Sequence, residues 1–157
     1  MRNETGPACL LESEQRVVME IPLDADWSRV RLYRAGCGGA AGWLRRLVLQ
    51  ASRNRAVALG NRVFLPDRCD GDLGVLAHEL THCAQYQAWG PGVYFARGMI
   101  NQLRELVHRT LRVGSSPYSY REKPGKPFGS YGMEQQAQMV EDRFRQSSGG
   151  DHPMPSA

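Results

Sequence analysis

Several things are scarce in this chain, and each scarcity removes a class of answer. No apolar run approaches the ~18 residues that a membrane-spanning helix needs. The nearest candidate, Gly92 to Val113, is interrupted by Arg97, Arg104, Glu105, Arg109 and Arg112. Lysine is almost missing: only Lys123 and Lys126 occur, so nearly all of the 20 basic residues are arginines. Those arginines are scattered rather than gathered into a stripe, and with a net charge of only +4 nucleic-acid binding is not the expected role. No pair among Cys9, Cys37, Cys69 and Cys83 has C-x-x-C spacing, which argues against a structural zinc knuckle or a dithiol redox motif. The first fifteen residues contain no apolar segment and no cleavage-like site, so a signal peptide is not expected. The expected compartment is then a reducing cytoplasm, with the thiols free.

What remains is an ordinary globular composition, 41% hydrophobic and 23% charged over 157 residues, enough for one domain. Residues 1–15 are polar and aperiodic and read as a flexible arm. The domain spans 16–146, and residues 147–157 form a Ser/Gly/Pro-rich tail expected to be disordered. Val17 to Ile21 reads as a short strand stopped by Pro22, and Val30 to Tyr33 alternates as a strand does. A helix from Ala40 to about Arg53 places Leu44, Leu47 and Val48 on one face. The runs Ala56–Leu59 and Val63–Leu65, separated by Gly60-Asn61-Arg62, read as a hairpin whose end offers an edge strand to an extended peptide. Asp70 or Asp72 then caps a helix from about Asp72 to Ala88, which Gly90-Pro91-Gly92 ends. A second helix, Val93 to about Val113, is expected to bury Tyr94, Ile100, Leu103, Leu106, Val107 and Leu111. After an irregular loop, a last helix from Met133 to Arg145 buries Met133, Ala137, Val140 and Phe144. The elements add up to an α+β domain with a small sheet.

The chemistry is concentrated in His78-Glu79-Leu80-Thr81-His82, an H-E-x-x-H motif within a convincing helix. Positions i and i+4 lie on one helical face, so two imidazoles reach one metal ion, zinc being the usual occupant. Glu79 stands beside them as the catalytic residue, a general base able to take a proton from a water that the ion acidifies. The uncharged neighbours Val75, Leu76, Ala77, Leu80, Thr81, Cys83 and Ala84 suit a buried active-site helix. Cys83, one residue past a ligand, is turned about 100° away and is expected in the core.

Two histidines do not complete a catalytic zinc site, which takes three protein ligands. The extended motif with a third histidine is excluded, because Gln85 and Ala88 occupy the required positions. Candidates for the third metal ligand are Glu105, His108, Glu122, Glu134, Glu141 and His152. Glu105 and His108 sit on the intermediate helix, Glu122 between Arg121 and Lys123, and His152 in the tail. Glu134 and Glu141 share a face of the last helix with Gln138, at i, i+4 and i+7. For Glu141 taken alone, an ordinary solvated helix edge is the preferred reading. Tyr118, Tyr120 and Tyr131, in or beside the preceding loop, are candidate catalytic donors to an oxyanion, with Tyr120 and Tyr131 favoured.

The strand Val30-Arg31-Leu32-Tyr33, the Leu59-Gly60-Asn61-Arg62-Val63-Phe64 hairpin and the Leu76-Ala77-His78-Glu79-Leu80-Thr81-His82 helix, followed by Gln85, occur in a specific order. In that order they resemble the bacterial extracellular contractile injection system core domain, over roughly Ile21 to Arg145. The resemblance implies a minimal zincin-like domain of the gluzincin type, a metalloprotease fold found with toxins and injection-system cargo. It implies zinc as cofactor, and a third ligand from the first Glu of an E-x-x-x-D-like stretch, which matches Glu134. Gln138 stands where that pattern has an acid, and so is expected behind a ligand imidazole as an uncharged hydrogen-bond partner. The function expected is a zinc-dependent endopeptidase of effector type acting on a protein or peptide substrate. The rival is a catalytically weak zinc-binding cargo or docking module beside a secretion or injection apparatus, and a third reading is a basic zinc domain acting on nucleic-acid-bound protein. Export would then need a dedicated apparatus or cell lysis, since no signal peptide is expected.

Overall fold

A computed structural model describes residues 6–111 and 119–148, with the side chain of Leu111 left out. Tyr118 and His152, both candidates above, lie outside the described residues, as do the start of the arm and most of the tail. The fold is mixed α+β: helices α1 (Glu12–Val18), α2 (Gly39–Ala51), α3 (Leu73–Leu111) and α4 (Met133–Ser148), with strands β1 (Arg31–Tyr33), β2 (Val57–Leu59) and β3 (Arg62–Phe64). The three strands form one sheet in the order β1-β3-β2, with β3 parallel to β1 and antiparallel to β2. The β2–β3 hairpin turns at Gly60, whose φ of 66° is left-handed and whose missing side chain leaves room for the Tyr86 ring.

Alternation along the strands sends side chains to two different cores. Leu32 and Val63 join the main cluster, where Leu76, Ala77, Leu80, Cys83 and Ala84 of α3 meet Val140 and Phe144 of α4. Tyr33 and Phe64 point the other way, stack with centroids 4.5 Å apart, and pack with Leu49 beneath α2. Leu44 and Val48 pack there as expected, but Leu47 is turned outward and exposed.

Residues expected to form a loose arm running into a strand are helical instead. Val17 is fully buried in the main core, and Ala8 bridges Leu32 in an antiparallel pair beside β1. Glu14 explains the difference. Its carboxylate accepts the Leu11 N–H at 2.8 Å, closing the first turn of α1, and also receives the Arg34 guanidinium at 2.8 Å. A polar sequence can be held down by such partners without an apolar period to announce it.

Asp72 is the residue that caps α3, its Oδ1 accepting the N–H groups of Gly74 and Val75 at 3.0 Å each. The break anticipated at Gly90-Pro91-Gly92 is present. Gly90 adopts φ 77° and ψ 166°, which is not helical, and divides α3 into two arms. The first arm is buried between sheet and α4. The second is not: Tyr94 is buried, but Ile100, Leu103, Leu106 and Val107, expected inside, are 39–61% exposed. Their apolar period marks a face suited to being covered, yet no described element lies over it. Leu111, expected beside them, has no described side chain. On α4 the four expected residues, Met133, Ala137, Val140 and Phe144, are all buried. Among the described residues no helix is long and apolar enough to cross a membrane.

Candidate metal centre

The buried first arm of α3 and the inner face of α4 lie side by side, and their polar residues meet at one place. His78, His82 and Glu134 each offer a ligand atom, and all three atoms lie within 4.8 Å of one another. Glu134 Oε2 is 3.3 Å from His82 Nε2 and 3.6 Å from His78 Nε2. Ligands bound at about 2.0–2.1 Å in tetrahedral directions are separated by roughly 3.3 Å, so these spacings fit an ion of that size.

His82 is oriented from behind. Its Nδ1 lies 2.8 Å from Gln85 Oε1, and Gln85 Nε2 donates to the Met133 carbonyl and to Gln136 Oε1, each at 3.0 Å. Gln136 Nε2 in turn donates to the Tyr131 carbonyl at 2.8 Å. The two backbone carbonyls accept only, which fixes both amides and makes Gln85 Oε1 an acceptor. His82 therefore carries a proton on Nδ1 and turns Nε2 towards Glu134. Gln85 and Gln136 are both almost completely buried. In the sequence Gln85 stood out only as the residue at the glycine position of the extended motif and as part of the family resemblance. The available signal was a glutamine three residues past His82 on the buried face, among apolar neighbours.

His78 presents Nε2 to Glu134 in the same way, but its Nδ1 faces a carboxylate. Glu141 Oε2 lies 3.2 Å from that nitrogen, off the N–H axis, so the contact is ionic and no aligned hydrogen bond forms. Glu141 is thus brought to the site and is not the solvated edge preferred from sequence. Gln138 is not behind an imidazole: its amide donates to Asp142 at 2.9 Å and approaches Glu141 at 3.5 Å.

Glu79 is buried beside both histidines, and accepts a hydrogen bond from the Ala58 N–H of β2. Tyr94 reaches the same residue from the second arm of α3, its hydroxyl donating to the Ala58 carbonyl at 2.9 Å. Both outward-facing polar groups of this edge strand are therefore engaged. The strand expected to offer a free edge, Val63–Leu65, contains most of the central strand β3, paired on both sides, so that role cannot be its own.

Without an ion the cluster is a set of mutually stabilised charges. Burial opposes a charged His78, but the carboxylates of Glu134 and Glu141 override it and push the pKa up to about 10. His82 is also raised, burial being outweighed by the Glu134 charge. Burial alone would raise Glu134, yet the two imidazoles hold it well below the usual carboxylate range. Burial pushes Glu79 up, with the histidines pulling against it.

The other candidates are engaged elsewhere. Glu105 pairs with Arg109 at 2.5 Å, and Glu122 with Arg143 at 2.9 Å. His108 lies on the second arm of α3. The Tyr120 hydroxyl donates to Asp142 at 2.6 Å, and the Tyr131 hydroxyl accepts the Lys123 N–H at 3.0 Å. Neither phenol is directed to the cluster. Cys83 is fully buried in the core as expected, and all four cysteines are free.

A mixed α+β domain with a His-His-Glu cluster between two helices is what fold and site define. The chain belongs to the eCIS core domain family, whose model matches residues 10–90. The match includes His78, Glu79 and His82 and ends at Gly90, so Glu134 and Glu141 lie beyond it. Neither a search of curated proteins nor one of solved structures gave a match.

Proposed function

We propose that this chain is a zinc-dependent metallopeptidase-like domain of zincin type, associated through its family with a bacterial contractile injection system. His78, His82 and Glu134 would hold the ion, and Glu79 would be the general base. The observation that carries the reading is the convergence of Glu134 Oε2 on the Nε2 atoms of both histidines at 3.3 and 3.6 Å. When bound, zinc supplies Lewis-acid activation of water and of a carbonyl oxygen. The chain's own residues divide the remaining work. Gln85 keeps the His82 proton on Nδ1, and Glu134 brings one negative charge against two imidazoles. The Ala58 N–H holds the Glu79 carboxylate beside them, and burial raises its affinity for a proton. An effector-type protease acting on a protein or peptide substrate, and itself exported by an injection apparatus, fits the family context.

A second reading has a specific observation in its favour. Extended substrates commonly pair with an edge strand, and at Ala58 the edge of β2 is already taken by Glu79 and Tyr94. A zinc-binding docking or cargo module needs no such edge. Metal content and turnover separate the two. About one zinc per chain is expected in wild type and none in His82→Ala. Glu79→Gln should keep its zinc and lose all cleavage of a peptide library. Wild type with zinc but no cleavage would favour the docking module, and wild type unable to take up zinc would end both readings.

A further inference from the structure

We propose that Glu141 is the positioning carboxylate of His78, supplying from one helical turn further along α4 the charge that Gln138 lacks. The proposal rests on the reading of His78, His82 and Glu134 as metal ligands.

Glu134, Gln138 and Glu141 share one face of α4, and only Glu141 reaches a ligand imidazole from behind. Its two oxygens have separate tasks. Oε2 stands 3.2 Å from His78 Nδ1, while Oε1 accepts from Arg145 Nε at 3.0 Å and from an Arg145 terminal nitrogen at 2.9 Å. That terminal nitrogen also lies 3.0 Å from Asp72, the residue capping α3. The guanidinium occupies space that only a glycine leaves open: a Cβ at Gly74 would collide with it. The chain of contacts thus begins and ends on α3, running from its N-cap through Arg145 and Glu141 to His78.

Arg145 is 47% exposed, and ion pairs of that exposure add little stability. Orientation is what the arrangement provides. A histidine ligating through Nε2 has an Nδ1 proton to place, and a carboxylate there fixes the ring and strengthens its donor nitrogen. The off-axis approach leaves His78 Nδ1 as one of two buried side-chain polar atoms without an aligned partner among the described residues, and Glu141 Oε2 is the carboxylate oxygen standing beside it. The two ligands are then held unequally, His82 by a neutral amide and His78 by a charge. Glu141 lies outside the residues matched by the family model.

The test is zinc affinity, measured by competition with a chromophoric chelator, together with the visible spectrum of the cobalt-substituted protein. Glu141→Gln, close in shape, should bind zinc roughly 10–100-fold more weakly than wild type and shift the cobalt bands. Glu141→Asp should recover part of the loss, and Arg145→Met should show a smaller loss of the same sign. Glu122→Gln, on an exposed ion pair, serves as the control and should match wild type. Glu141→Gln with wild-type zinc affinity and an unchanged cobalt spectrum would overturn the proposal, even if its metal-free form melts earlier. Loss of zinc in His82→Ala with retention in Glu141→Gln would leave the metal site standing and remove Glu141 alone. A wild type that takes up neither metal would remove both.

Discussion

Gln85 has no charge and no reactivity, yet it determines which nitrogen of His82 faces Glu134. It is completely buried and makes three hydrogen bonds: to His82, to the Met133 carbonyl and to Gln136. Gln85→Leu would keep the volume and leave those partners unpaired, at a cost of about 1–3 kcal/mol. Urea denaturation of the metal-free protein should show that loss, and zinc affinity should fall with it. An unchanged midpoint and affinity would mean that the buried amide orients nothing. At this scale the sequence was legible where spacing alone determines geometry. His78 and His82 are four apart on one helix, so their meeting needs no tertiary information. Glu134 needed the family pattern. Glu141 and Gln85 were not legible, because each meets its imidazole only once α3 and α4 are packed together or the polar network is complete. For Tyr120 and Tyr131 a loop position says nothing about where a hydroxyl points, and both are engaged elsewhere.

The long helix α3 shows how far periodicity carries. Both of its arms have apolar residues at helical spacing, and both were read as buried. In the first arm Leu80 is fully buried between sheet and α4, whereas in the second Leu103 is 61% exposed. Period identifies a face and cannot identify a cover. The two leucines should therefore respond differently to substitution. Leu80→Ala should cost about 2–5 kcal/mol, as large-to-small changes in a core do. Leu103→Gln should stay within roughly 0.5 kcal/mol of wild type, as exposed positions do. Chemical denaturation of the two variants checks both values, and a large loss at Leu103 would show that the second arm is covered in solution. Boundaries fared better than burial. Asp72, Gly60 and Gly90 act through backbone geometry that their own side chains, or lack of one, determine locally. Helix α1 escaped because Glu14 and Arg34, 20 positions apart, hold it together.

For the molecule as a whole, the proposed ligand set joins two helices that are remote in the chain. His78 and His82 belong to α3, and Glu134 opens α4. An ion bound by all three favours the folded state in proportion to its occupancy, by about 2.7 kcal/mol at a free concentration 100 times Kd. Saturating zinc should therefore raise the thermal midpoint, and a chelator should lower it to the metal-free value. In Glu134→Gln the difference between zinc and chelator should shrink greatly. Equal midpoints in wild type with and without zinc would mean that no ion is held between the helices. The residues shared with the family end at Gly90, where α3 breaks, and they include two of the three ligands. On the proposed reading, the stretch between Gly90 and Glu134 acts as a tether: what matters for the ion is where its far end delivers a carboxylate, not the path taken between.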